Sequence, residues 1–428
     1  MTIITNLKKS QGNFLMGSNN KKYLDMYGNI GSLPLGYNHP KLKSFLKDTS
    51  KFEHLLIHRP ALGVNPPIEW ENEIEKFYKN YCPSHLDFMF IGCGCGSGAN
   101  ENAFKATFLH HARNHFSEQR LYNMLKSSLN NEEPGTPNLS ILSFKKGFHG
   151  RTLGCLSATR SNPFHKINVP AFKWPVAPFP QYKYNVAEED YINHLEDNKC
   201  LDIIQQILLK NKTIAGIIVE PIQAEGGDRY ASNYFFHQLQ VLSYDYNKTL
   251  IVDEVQTGCG STGKLWAHEY WENSYIEKYN VMKPDIVTFS KKTQVAGYFC
   301  KKEYKSDSPY QLFNTWMGDP FKIILSNKIY DIIQEENLLE KSIKVGKYMM
   351  NQLNDVKNKT NKISNIRGKG LFIAFDYNCN SVTTLKNKLI QNGVNIGTCG
   401  KNSIRLRPSL TLDYKDVDYF ILKLKKSL

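Results

Sequence analysis

Two adjacent carboxylates, Asp253 and Glu254, close an apolar run in TLIVDEV (residues 249–255). A run that hydrophobic belongs inside a protein, where unpaired negative charge is costly, so the carboxylates imply a cation or a donor nearby. Two more segments carry reactive potential. FIGCGCGSG (90–98) ends an apolar run in a cluster of glycines, and DIVTFSK (285–291) ends another in Lys291.

Three chemistries compete for these residues. LIVDE followed by Gly258-to-Lys264, spaced G-x-x-x-x-G-K, suggests a nucleotide triphosphatase, but Leu265 stands where a P-loop needs Ser or Thr. The glycines also trail the very strand that would hold the metal, and one segment cannot serve both purposes. The glycine loop at 90–98 suggests a methyltransferase or dehydrogenase. However, Phe90 occupies the usual acidic position, and an acidic residue about 20 positions on would fall inside a helix. The third reading seats a single phosphate on Gly96, Ser97 and Gly98, where the N–H groups of a helix expected to start near Asn100 point at an anion. Asp253 and Lys291 then sit at the ends of two other strands. A phosphate, a pyridinium nitrogen and an aldehyde are the three handles of pyridoxal phosphate. Asp253 would keep the ring nitrogen protonated, and Lys291 would form the Schiff base.

The elements that must position these groups follow from periodicity. ENEIEKFYKNY is amphipathic, DFMFIG (87–92) reads as a buried strand, and ANENAFKATFLHHARNHF reads as a helix. Strands follow at LSILSF, TIAGIIVEPI, TLIVDEV and DIVTFSK. This alternation predicts an α/β fold, a mainly parallel sheet covered by helices on both faces. After Asp319-Pro320 one long helical stretch, IYDIIQEENLLEKSIKVGKYMMNQLNDV, leads to strands at GLFIAFDY, GVNIGT and SIRLRPSL, an α+β unit. The expected organisation is an N-terminal segment (1–65) joining the small domain, a large domain (66–320) and a C-terminal small domain (321–428).

The bulk composition agrees with a globular protein. Of 428 residues 41% are apolar and 22% charged, and no apolar run approaches the ~18 residues of a membrane span. A soluble chain without a membrane partner is expected. The net charge of +14 is spread over scattered lysines without a basic block or an RNA-binding motif, so a nucleic-acid partner is not expected. Nine cysteines are too scattered for a disulfide framework and point to a reducing compartment. Cys93 and Cys95 lack the second pair that a zinc or iron–sulfur site wants, so no metal site is expected. The start, MTIITNLKKSQGNFL, has neither an apolar signal core nor an arginine-rich presequence.

The chain resembles the class III aminotransferases, pyridoxal-phosphate enzymes of fold type I, from about Gly12 to Leu428. The similar motifs run in order. They are GSLPLGYNHP (31–40), HRPALG (58–63), SILSFKKGFHGRTLGC (140–155), IAGIIVEPIQAEGGD (214–228), LIVDEVQTGCGSTGKLWAHE (250–269), TFSKK (288–292), FNTWMGDP (313–320) and SIRLRP (403–408). The resemblance implies pyridoxal 5'-phosphate held by Cys95, Gly96, Ser97, Asn100, Phe148, His149, Asp253, Gln256 and Lys291. In that pattern Phe148 stacks on the ring, His149 lies nearby and Gln256 lies beside the phenolic oxygen. It also implies a homodimer in which Thr315 reaches the neighbouring subunit's cofactor. Lys292, next to the reactive lysine, reads as a solvated neighbour.

For substrate, the resemblance implies that Ile30 touches the chain, Arg151 holds the distal carboxylate, and Glu225 neutralises Arg405 until a dicarboxylate arrives. Arg405 and Arg407 share a strand face, so the choice between them rests on the family pattern. The implied reaction moves the amino group of 4-aminobutyrate to 2-oxoglutarate, giving succinic semialdehyde and glutamate in a ping-pong cycle. β-Alanine, 3-amino-2-methylpropionate, ornithine or the ε-amine of lysine are alternative donors, and the implied compartment is the mitochondrial matrix or the cytoplasm.

Three features depart from the family. Animal members carry a C-x-x-C pair for an iron–sulfur cluster; here Cys95 matches the first position and Gly98 replaces the second, so no cluster is expected. After the lysine, KKTQVAG puts Gln294 where a hydrophobic residue is usual and Ala296 where the family has glycine. The N-terminus is short against the family. A catalytically degenerate member kept for dimerisation or binding therefore stands as the alternative to an active ω-aminotransferase.

Overall fold

A computed structural model describes residues 3–61, 64–92, 94–113, 121–184, 189–271, 283–379 and 381–428. Its centre is a seven-stranded sheet. From one edge the strands are Phe88–Gly92, Ala296–Cys300, Ile286–Phe289, Thr249–Asp253, Ile214–Val219, Ser140–Phe144 and Val176–Ala177. Ala296–Cys300 runs antiparallel to both its neighbours, and the other pairings are parallel. The four central parallel strands are buried along their whole length, as expected of a sheet covered on both faces.

Side chains alternate between the two faces. Leu250 and Val252 join a core with Phe235, Phe236 and Trp266, while Ile251 faces a second core with Ala103, Phe104 and Ile218. Each such buried aliphatic contributes roughly 1.5–3 kcal/mol. This alternation sends Asp253 and Glu254 in opposite directions. Asp253 turns toward the helix Gly96–Arg113, and Glu254 turns toward His268.

A four-stranded antiparallel sheet, Ile363–Lys369, Phe372–Tyr377, Ser403–Leu406 and Gly397–Cys399, forms a second body over the helices Leu338–Lys359, Val382–Gln391 and Tyr414–Ser427. Leu353, Val356, Phe375, Leu389 and Phe420 fill its core. The N-terminal strands Phe14–Met16 and Lys22–Asp25 join this body, because Lys22–Asp25 pairs in parallel with Val394–Asn395.

Two expected elements are divided. The long helical stretch after Pro320 is two helices, Pro320–Glu335 and Leu338–Lys359, broken where Asn337 takes a left-handed conformation (φ 49°). The first buries Ile323, Ile332 and Ile333 against the large-sheet core, and the second buries Val345, Met349 and Leu353 in the small one. One straight helix could not face both. GVNIGT is likewise two short strands, Val394–Asn395 in the N-terminal sheet and Gly397–Cys399 in the four-stranded one.

Candidate active site

The carboxyl edge of the parallel sheet gathers the chemistry, where ligands bind in open α/β folds. Asp253 ends its strand at 5% exposure. Its Oδ2 accepts Asn100 Nδ2 at 2.8 Å and lies 2.9 Å from His149 Nδ1, while Oδ1 accepts Val255 N at 3.1 Å. Asn100 also donates to the His149 carbonyl at 2.8 Å, so three segments distant in sequence fix one carboxylate. His149 Nε2 and Asn100 Oδ1 are buried without a partner.

Lys291 lies just beyond the next strand, with an unusual left-handed backbone (φ 54°). Burial pulls its amine down to about 8, although the Asp253 carboxylate opposes the shift. The helix behind the glycine loop begins at Gly96, four residues earlier than the sequence implies, which places Asn100 within its first turns facing Asp253. A β-carbon on Gly96 would lie 2.4 Å from Val255 Cγ1, so the close approach of this loop to the Asp253 strand requires glycine. Ser97 Oγ accepts Arg151 N at 2.9 Å and Thr152 N at 3.1 Å, stapling the glycine loop to the segment that carries Arg151. Cys95 is exposed at the mouth of the loop. Cys93 lies outside the described residues, among which no group of three or more His, Cys, Asp or Glu side chains could hold a metal ion.

Phe148 is half-buried beside His165, at 5.4 Å between ring centroids, and the exposed Arg151 lies 6.0 Å over the Phe148 ring. Beneath it is Glu220, a residue that the motif reading passes over. Its carboxylate accepts Phe148 N at 2.9 Å and Ala224 N at 3.1 Å, and burial pushes its carboxyl up to about 7. The available signal was IAGIIVE, the same apolar-strand-then-carboxylate pattern that marks Asp253.

Geometry separates the two arginines of SIRLRP. Arg405 Nη1 lies 2.9 Å from Glu225 Oε2, whose side chain is 30% exposed. Arg407 is buried: Nη2 donates to Asp228 Oδ1 at 2.5 Å, Nε donates to Gln256 Oε1 at 2.9 Å, and its guanidinium covers the Phe372 ring at 3.2 Å. Arg407 is thus held at three points, whereas Arg405 pairs with a partly exposed carboxylate and otherwise hydrogen-bonds only Tyr27 among the described residues, to whose hydroxyl its Nη2 donates at 3.3 Å. Because Arg407 only donates, it fixes the Gln256 oxygen toward itself and leaves the amide N–H groups for another acceptor.

Lys292 corrects the expectation of a solvated neighbour. It is 2% exposed, donates to the Gly31 carbonyl at 2.7 Å, and is pulled down to about 7 by burial. Gly28, Asn29, Ile30 and Gly31 all have positive φ (49°, 51°, 61° and 73°), a full turn of left-handed backbone with a β-branched residue in it. Ile30 is 45% exposed. Thr315 is exposed, and the structure of one chain gives it no site partner.

The residues present fit pyridoxal phosphate. A glycine-built helix start, a buried carboxylate with fixed donors, an amine of lowered basicity and a half-buried aromatic ring supply one feature for each part of it. The comparisons agree. The family description of class-III aminotransferases matches residues 1–428, and the chain belongs to that family. It is a pyridoxal-phosphate-dependent aminotransferase. It is 41% identical to the 4-aminobutyrate aminotransferase of Dictyostelium discoideum, over 98% of this chain and 84% of that protein. It is 40% identical to the mitochondrial 4-aminobutyrate aminotransferase of Sus scrofa, over 95% and 81%. Among solved structures, a lysine aminotransferase from M. tuberculosis in its internal aldimine form superposes with a TM-score of 0.86 at 27% identity, covering 100% of this chain and 95% of that one.

Proposed function

We propose that the chain transfers the amino group of 4-aminobutyrate to 2-oxoglutarate, releasing succinic semialdehyde and glutamate. The observation that carries this reading is the Arg405–Glu225 pair at 2.9 Å. A donor with one carboxylate needs one arginine, and a dicarboxylate acceptor needs two. With Glu225 covering Arg405, Arg151 alone takes the donor carboxylate. When 2-oxoglutarate enters, its α-carboxylate replaces Glu225, whose partial exposure keeps that exchange inexpensive. The relatives named 4-aminobutyrate aminotransferase support the same donor.

Pyridoxal phosphate, when bound, supplies the electron sink for breaking the bond to hydrogen at the amine-bearing carbon. Asp253 would face the ring nitrogen, with Asn100 and His149 fixing the direction of its carboxylate. Lys291, whose amine burial pulls down to about 8, would be the base that takes the proton from that carbon. Gln256 would offer its amide N–H to the phenolic oxygen, and the N–H groups of Gly96, Ser97 and Gly98 would hold the phosphate. Phe148 supplies the platform for the ring, and Ile30 flanks the donor chain.

A homodimer completes this reading. Ile57, Phe164 and Trp316 are 92%, 82% and 54% exposed in the single chain, apolar surface that a second copy would cover, and Thr315 beside Trp316 would then reach the partner's phosphate. The proposed division keeps 66–320 as the cofactor-binding unit and 321–428 as the smaller unit joined by 1–65, although the helix Pro320–Glu335 packs on the large core. The departures after Lys291 are accommodated: Ala296 is buried in a strand opposite Gly92, and Gln294 Nε2 donates to two carbonyls. That favours an active enzyme over a degenerate one. Incubating the purified protein with cofactor, 4-aminobutyrate and 2-oxoglutarate tests the proposal. Equal amounts of glutamate and succinic semialdehyde support it, and glutamate formed only from another ω-amine would replace the donor.

A further inference from the structure

Left-handed backbone costs an L-residue roughly 1–2 kcal/mol, and most for a β-branched side chain such as Ile30. A whole turn of it persists only where its surroundings hold it. Asp25 secures the entrance, accepting Tyr27 N at 3.0 Å and Gly28 N at 3.1 Å. Arg407 closes one wall, since a β-carbon on Gly28 would lie 2.6 Å from its carbonyl oxygen. The exit is held from the reactive-lysine loop. Lys292 Nζ donates to Gly31 O at 2.7 Å, and Gln294 Nε2 donates to Ser32 O at 2.8 Å and to the carbonyl of Lys291 itself at 2.9 Å. One amide thus grips both the backbone of the reactive lysine and the turn that carries Ile30.

Lys292 is costly in that place. Burying an amine against a single carbonyl is unfavourable where an apolar side chain would pack equally well, so its presence there calls for a return beyond filling space. Gly28 and Gly31 are buried in the same turn while Asn29 and Ile30 are exposed, so the turn presents Ile30 as its one apolar side chain.

We propose that Lys292 and Gln294 are positioning residues that fix the Ile30 turn at a set distance from Lys291, and that this distance selects the chain length of the amino donor. The inference rests on the reading above, in which Ile30 flanks the donor chain. With the two struts intact, Ile30 limits how much chain fits between the carboxylate site and the reactive lysine. With either strut cut, the strained turn relaxes and Ile30 withdraws, and a donor one methylene longer gains relative to 4-aminobutyrate.

The test is the ratio of kcat/KM for 4-aminobutyrate to that for 5-aminovalerate, in the loaded full-length enzyme and in Lys292→Met, Gln294→Leu and Ile30→Ala. One methylene is worth about 10- to 200-fold in a fitted pocket, and loss of the strut lowers the ratio by about 10-fold in Lys292→Met and by about 3-fold in Gln294→Leu. Both donors falling by the same factor in both variants would overturn the inference, because a merely structural role moves them together. Should Lys292→Met fail to fold, the milder Gln294→Leu decides alone. If Ile30→Ala shifts the ratio while neither strut variant does, only this inference falls. If Ile30→Ala also leaves it unchanged, the substrate role of Ile30 falls with it. A wild-type enzyme inactive on 4-aminobutyrate would instead remove the proposed function.

Discussion

Asp253 stands at the end of a strand buried on both faces, whereas Ile30 stands in four consecutive left-handed residues held in place by side chains from other segments. The first position is set by the hydrophobic core: Val252 and Ile251 are fully buried on opposite faces, and the carboxylate has no freedom to move without shifting the sheet. The second position is set by a few polar struts over an intrinsically unfavourable backbone. The lesson is a division of labour. In the proposed roles, Asp253 acts from the rigid edge of a sheet, whereas Ile30 flanks the donor from a turn that single substitutions can shift.

That contrast is open to experiment. Lys291→Ala is expected to have the largest effect, lowering turnover by at least about 10^3-fold and abolishing the visible band of the loaded enzyme. Retention of the band would move the reactive amine to Lys292, whose lowered basicity makes it the natural rival. Asp253→Asn keeps the shape of the strand end but removes its charge, so kcat drops by about 10^2- to 10^3-fold with little change in melting temperature. A variant that instead unfolds would show the carboxylate to be structural.

On the recognition side, Arg405→Lys loses a flat two-point contact. Half-reaction kinetics should show the KM for 2-oxoglutarate rising by about 10- to 100-fold, with the 4-aminobutyrate half-reaction much less affected. Equal losses in both would mean that Arg405 does not alternate between Glu225 and substrate. The smallest effect is on stability against pH. Burial depresses the amines of Lys291 and Lys292 to about 8 and about 7, so between these values and the ordinary lysine range the unfolded chain holds more protons than the folded one. The cofactor-free protein should therefore melt at a higher temperature at about pH 9 than at about pH 7, and Lys292→Met should flatten that slope; a slope unchanged by this substitution would contradict the burial of a titrating amine there.

The same division explains what the sequence reveals. Asp253, Lys291 and the Gly96–Gly98 loop are legible because each follows an apolar run of strand length, a local pattern that physics ties to the carboxyl edge of a parallel sheet. Glu220 carries the same signal after IAGIIV and is as readable. The helix break at Asn337 is not, since neighbouring apolar residues keep their helical spacing across it and only the existence of two separate cores reveals why the chain must turn. Arg405 and Arg407 are two residues apart on one strand, so periodicity cannot rank them; Asp228, Gln256 and Glu225, which do, come from other segments. Lys292 is the sharpest case. A lysine beside a lysine reads as solvated, and nothing near it in sequence predicts that its partner is the carbonyl of Gly31.

In the proposed reaction one amine, Lys291, and two arginines, of which Arg405 alone alternates between Glu225 and substrate, serve both halves of a transamination. The visible spectrum of the purified, loaded protein tests it most directly. A yellow band that fades on addition of 4-aminobutyrate and returns with 2-oxoglutarate is the predicted result. A yellow band unmoved by 4-aminobutyrate would contradict the donor assignment, and a protein that stays colourless with added pyridoxal phosphate would contradict the account of the site itself.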